Sequence, residues 1–91
     1  MSTGNQTNKK WEYNLVYTCQ GKDYVHSAVC SARVTQGQYE VIAYGWLLED
    51  VERYGFDQED VLREVSLLET GEDGVRNPVW TINAYPIKSL R

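Results

Sequence analysis

Little in this chain is of the kind from which catalytic or metal centres are assembled. It has one histidine and two cysteines in 91 residues, and the motif spacings of zinc sites are absent, so no tetrahedral metal set can be completed within one chain. His26 has no evident orienting acid in the sequence around it, which favours a packed sheet residue over imidazole chemistry. A Ser/His/Asp or Cys/His site would have to be gathered entirely from distant positions. There is no phosphate-cradling Gly-Lys loop and no glycine-rich dinucleotide fingerprint. No run of apolar residues approaches the ~20 needed to span a bilayer, and the first residues lack the charged-then-apolar pattern of a secretion signal. These absences predict a non-enzymatic cytoplasmic protein without cofactor, metal or membrane contact, in which Asn5-Gln6-Thr7 matches a glycosylation sequon by chance.

The residues present are those of a globular domain. The apolar fraction is 42%, the charged fraction 24%, and the aromatics comprise three Trp, seven Tyr and one Phe, which excludes disorder for the body of the chain. Residues 1–10 are polar and aperiodic and read as a flexible tail. Residues 11–91 then form a single domain, whose size implies a stability of roughly 5–10 kcal/mol.

From Trp11 the pattern alternates, with Trp11, Tyr13, Leu15, Tyr17 and Cys19 on one face and Glu12, Asn14, Val16 and Thr18 on the other, as in a half-buried strand. Gly21-Lys22 suits a tight hairpin turn. It would lead into a second strand over 24–34, with Cys19 opposite Tyr24, Tyr17 opposite His26 and Tyr13 opposite Cys30. Gln36-Gly37 reads as the next turn, pairing Ala32 with Val41 in a third strand over 39–44. This register holds Cys19 and Cys30 roughly 20 Å apart, which predicts two free thiols. Pro78 opens a last extended segment, Val79 to Tyr85, expected at a sheet edge.

Gly45 to Glu69 reads as two short amphipathic helices. In the first, Leu47, Leu48, Val51 and Tyr54 share a dry side opposite Glu49, Asp50, Glu52 and Arg53, and Gly55 is the stop. In the second, Asp57 is the N-cap, Asp60 stands near the capping-box position, and Phe56 staples onto Val61. Val61, Leu62, Val65 and Leu68 would be buried, and Leu67 alone falls on the charged side. The expected fold is therefore α+β: an antiparallel three-stranded meander plus a C-terminal strand, with two short helices packed on one face.

Charge is unevenly placed. Residues 49–73 hold ten acids against Arg53 and Arg63, a local net of −8, while the remainder nets +4. Ordinary solvated helix faces with i,i+4 pairs, Glu49 to Arg53 and Glu59 to Arg63, account for part of this. Exposed helix acids lack the asymmetry that a catalytic carboxylate pair needs, and no calcium-loop spacing occurs. The strand aromatics could stack single-stranded nucleic acid, but such platforms lie in basic grooves, so no direct nucleic-acid binding is expected. No motif identifies a family. In size, order of elements and acidity the chain resembles, in style, small phage-type inhibitor and accessory proteins, some of which imitate nucleic-acid phosphates with carboxylates.

The functional expectation is a protein-binding module. Glu49, Glu52, Glu59, Asp60 and Glu64 would dock a basic surface on a partner, with Leu67 as apolar anchor. The partner would be a nucleic-acid-processing protein that the module inhibits or escorts. The alternative is a homodimeric ligand-binding or accessory module joined through an apolar sheet surface of Val16, Val25, Val29, Ile42 and Tyr44.

Overall fold

The structure, a computed structural model, describes residues 10–83 and 85–90; of the expected tail at 1–10, residues 1–9 lie outside them. Strand β1 (Trp11–Cys19) turns into β2 (Lys22–Cys30). A 3₁₀ turn, Gln36–Gln38, runs into helix α1 (Tyr39–Tyr54), followed by β3 (Val61–Thr70), β4 (Arg76–Ile82), β5 (Tyr85–Pro86) and a closing 3₁₀ turn, Ile87–Leu90. The sheet is antiparallel in the order β2-β1-β3-β4, with β5 on the first residues of β3. It is an α+β architecture with one helix on one face of the sheet. Among the described residues no helix is long and apolar enough to cross a membrane.

The β1–β2 hairpin forms, two residues out of the expected register. Cys19 stands opposite Lys22, Leu15 opposite His26 and Trp11 opposite Cys30. The turn is Gln20-Gly21, and both residues have positive φ, 54° and 77°, as a type I′ hairpin requires. A shift of two keeps every side chain on its expected face. Cys19 and Cys30 are free thiols at opposite ends of the hairpin.

Residues 39–44 are helical rather than a third strand. Tyr39 and Ala43, four apart, satisfy both periods of two and of 3.6; the discriminating position is Val41, which the helix leaves 62% exposed. The buried stripe of α1 is Tyr39, Ala43, Leu47, Asp50 and Val51, the i, i+4 spacing of one helical face. Gly55 ends the helix in the left-handed conformation at φ 69°, as its type predicts.

The second expected helix is instead a turn and a strand. Asp57 and Asp60 do bond reciprocally: the Asp57 amide donates to Asp60 Oδ2 and the Asp60 amide to the Asp57 carbonyl, both at 3.0 Å. They close a turn, after which the chain pairs with β1 as β3. Phe56 packs on Tyr24 and Tyr54 rather than stapling on Val61. In β3 the pairing with β1 shifts between Val16 and Thr18, and Glu64 there has a φ of 50°. This bulge inserts one extra residue, so Leu62 and Val65 reach the same face three positions apart. A spacing of three followed by polar residues imitates a helical stripe, and that is why the strand reads as a helix. Beyond the bulge the period is two, with Val65, Leu67 and Glu69 buried. Leu67 is 0% exposed, opposite Leu15 and Trp80, so it is a core residue and not a surface anchor.

The core lies between α1 and the face of the sheet bearing Tyr13, Leu15, Tyr17, Cys19, Leu62, Val65 and Leu67, closed by Ile87 and Leu90. Trp46 and Tyr44 flank the helix, Trp46 stacked on His26 of β2 and Tyr44 against Trp80 and Tyr85. Among the described residues no helix covers the opposite face of the sheet.

Candidate functional site

Three tyrosines and the histidine on or beside the core face bring polar atoms under α1, and each of those atoms needs a partner there. Two carboxylates supply it. Asp50, 1% exposed, accepts the Tyr17 hydroxyl at 2.5 Å on Oδ2 and His26 Nδ1 at 2.9 Å on Oδ1. Because a carboxylate oxygen only accepts, Nδ1 carries a proton in this contact. The ring stacks on Trp46 at 4.8 Å between centroids. His26 thus does have an orienting acid, distant in sequence, and faces Leu15 rather than Tyr17 across the hairpin. Asp50 is not on the solvated side of the helix.

Glu69, 5% exposed, sits at the other end of the helix. It accepts the Tyr13 hydroxyl at 2.7 Å, the Tyr39 hydroxyl at 3.3 Å, and Arg33 Nε and Nη2 at 3.1 Å each. Tyr13 in turn accepts the Val34 amide at 2.9 Å, and the Arg33 guanidinium lies over the Trp11 ring. Burial alone would raise the Glu69 carboxyl; the Arg33 fork and the tyrosine hydroxyls outweigh it and hold the carboxyl below its ordinary value. Burial, then the Glu69 hydrogen bond, pushes the Tyr13 phenol up to about 12. Burial and the Asp50 hydrogen bond raise Tyr17 in the same way. An open cleft of about 460 Å³ lies beside this cluster, lined by Arg33, Val34, Thr35, Gln36, Tyr39 and Val79.

Both carboxylates tie the helix layer to the sheet: Asp50 holds α1 to β1 and the edge strand β2, and Glu69 clasps the segment between β2 and α1. The hydrogen-bond partners of both carboxylates belong to the fold itself. The signal that could have found Asp50 is its place three residues after Leu47 in the helical stripe. For Glu69 it is the two-residue step from Leu67.

The acids expected to bind a partner are spread over three elements. Glu49 and Glu52 are exposed on the outer side of α1, Glu59 is exposed and Asp60 half-buried in the turn that follows, and Glu64 is exposed at the bulge of β3. Asp60 also accepts Gln20 Nε2 at 2.6 Å. The expected dimer surface is divided. Val16, Val25 and Val29 share the open sheet face, with Val25 56% and Val29 62% exposed. Ile42 and Tyr44 belong to α1, half-buried on the other side of the sheet. Among the described residues no group of three or more His, Cys, Asp or Glu is placed to hold a metal ion. Comparison with protein-family models, with curated proteins and with solved structures finds no match to this chain.

Proposed function

We propose that this chain is a non-catalytic, cytoplasmic protein-binding module whose acidic helical layer docks a basic surface on a partner protein, of the kind nucleic-acid-processing proteins carry. One observation carries the reading. From residue 39 to residue 60, Glu40, Glu49, Glu52, Asp57, Glu59 and Asp60 occupy exposed or half-buried positions, and Arg53 is the only base. With Asp50 and Glu69 consumed inside the fold, these acids and the neighbouring Glu64 form the acidic surface of the helical layer and of the turn that follows it. Val41, on the outer side of the helix and 62% exposed, replaces Leu67 as the apolar anchor within that acidic rim.

Complementary charge of this kind acts chiefly on association rate and partner choice. The test is capture of partners on the immobilised full chain, followed by association kinetics over a salt series. Association should slow as ionic strength rises, and the triple reversal E49K/E52K/E59K should slow it on the order of tenfold at low salt. A captured partner whose binding ignores both salt and these reversals overturns the reading.

A further inference from the structure

The two edges of the sheet are built differently. At one, β4 contains Pro78, begins at Arg76, and has a break in its pairing register between Leu67 and Leu68 of β3. Proline, charge and bulges are the devices that keep a sheet edge from pairing with another chain. The other edge, β2, has none of them beyond its first two residues: after Lys22 and Asp23 it runs Tyr-Val-His-Ser-Ala-Val-Cys, paired residue for residue with β1 without a register break.

The hairpin turn determines which backbone groups of β2 remain free. Cys19 and Lys22 flank the two-residue turn and so form a hydrogen-bonded pair, as do Tyr17 with Tyr24, Leu15 with His26, Tyr13 with Ala28 and Trp11 with Cys30. The N–H and C=O groups of Val25, Ser27 and Val29 therefore point away from the sheet. The side chains of the same residues lie on the uncovered face, where Val25 and Val29 are among the most exposed large apolar residues of the described chain. Ser27 is held by its hydroxyl, which donates to Asn14 Oδ1 at 2.5 Å.

We infer that β2 pairs antiparallel with β2 of a second copy about a two-fold axis at Ser27. In that register Val25 of each copy meets Val29 of the other on the open face, while Tyr24 meets Cys30 and His26 meets Ala28 on the helix side. No charged residues of like sign are opposed within the paired segment. An isologous contact requires such self-complementarity, and a strand bearing a charge at its centre would lack it. The two sheets become one, with both helices on the same side, so the acidic layers stand side by side. This assembly does not depend on the partner proposed above.

The experiment is sedimentation equilibrium of the full chain over a concentration series, with amide hydrogen exchange on the same samples. The wild type should pass from the 10.5 kDa monomer to twice that mass. The Val25, Ser27 and Val29 amides should become protected as the dimer forms. V25K/V29K, at two exposed positions, should keep the monomer's circular dichroism and melting while weakening the dimer on the order of a hundredfold, because lysines then oppose each other across the axis. V25K/V29E should retain the dimer, since the new charges are opposite in this register. A chain monomeric at every concentration overturns the inference. So does a dimer that V25K/V29K leaves intact, or one in which those three amides exchange freely.

Discussion

At the scale of single residues, buried acids add to the stability that buried hydrocarbon gives this chain. Asp50 accepts two hydrogen bonds from groups that are themselves withdrawn from water, so its removal leaves the Tyr17 hydroxyl, on a residue 1% exposed, without a partner. An orphaned buried hydroxyl costs about 1–3 kcal/mol. Asp50→Ala should destabilise by at least that amount in urea denaturation. Combined with Tyr17→Phe, which removes the orphaned group, the loss should be smaller than the sum of the single losses. Strict additivity would mean that the short contact contributes nothing. Leu67 makes the complementary case. Fully buried between Leu15 and Trp80, its truncation to alanine should cost about 2–5 kcal/mol, whereas a surface anchor would lose almost none.

At the scale of elements, the hairpin, the helical stop at Gly55, the α+β class and the edge position of the last long strand were legible in the residues. Alternation and turn chemistry act locally and agree with each other at those places. The third strand and the second helix were misread because two periods can be satisfied by the same few positions. Tyr39 and Ala43 fit either period, and the bulge at Glu64 turns a strand's step of two into a helix-like step of three. The buried carboxylates were illegible for a different reason: their partners, Tyr17, His26, Tyr13 and Arg33, are 24 to 56 residues away in sequence. The bulge also makes a prediction whose sign separates strand from helix. Glu64 holds a positive φ of 50°, a conformation that disfavours side chains bearing a Cβ. Glu64→Gly should therefore raise stability by up to about 1 kcal/mol. The same substitution inside a helix would lower it by about 1 kcal/mol. Thermal melting of the two proteins at matched concentration reads the sign directly.

At the scale of the whole molecule, the acid and phenol groups that join helix to sheet bound a pH window for the fold. Glu69 has a folded value below its ordinary 4.5. Its contribution is present above that ordinary value and is lost as pH falls through the lower, folded one. Tyr13 and Tyr44 run the other way, each raised from 10.0 to about 12 by burial first and then by its hydrogen-bonded neighbour. Their contribution is complete below pH 10.0 and disappears as pH climbs towards about 12. Urea midpoints should thus form a plateau with an acid limb starting near the ordinary carboxylate value and an alkaline limb starting near the ordinary phenol value. On the alkaline side, the phenolate absorbance of Tyr13, Tyr17 and Tyr44 should appear together with unfolding rather than before it. On the acid side, Glu69→Gln removes the titrating group while keeping its shape, so the variant should be weaker at neutral pH and should lose less further stability on acidification than the wild type. An acid limb of unchanged depth in that variant would move the linkage to the exposed carboxylates of the helical layer. In that case the Arg33–Glu69 clasp would be a contact without a share in the pH dependence of folding.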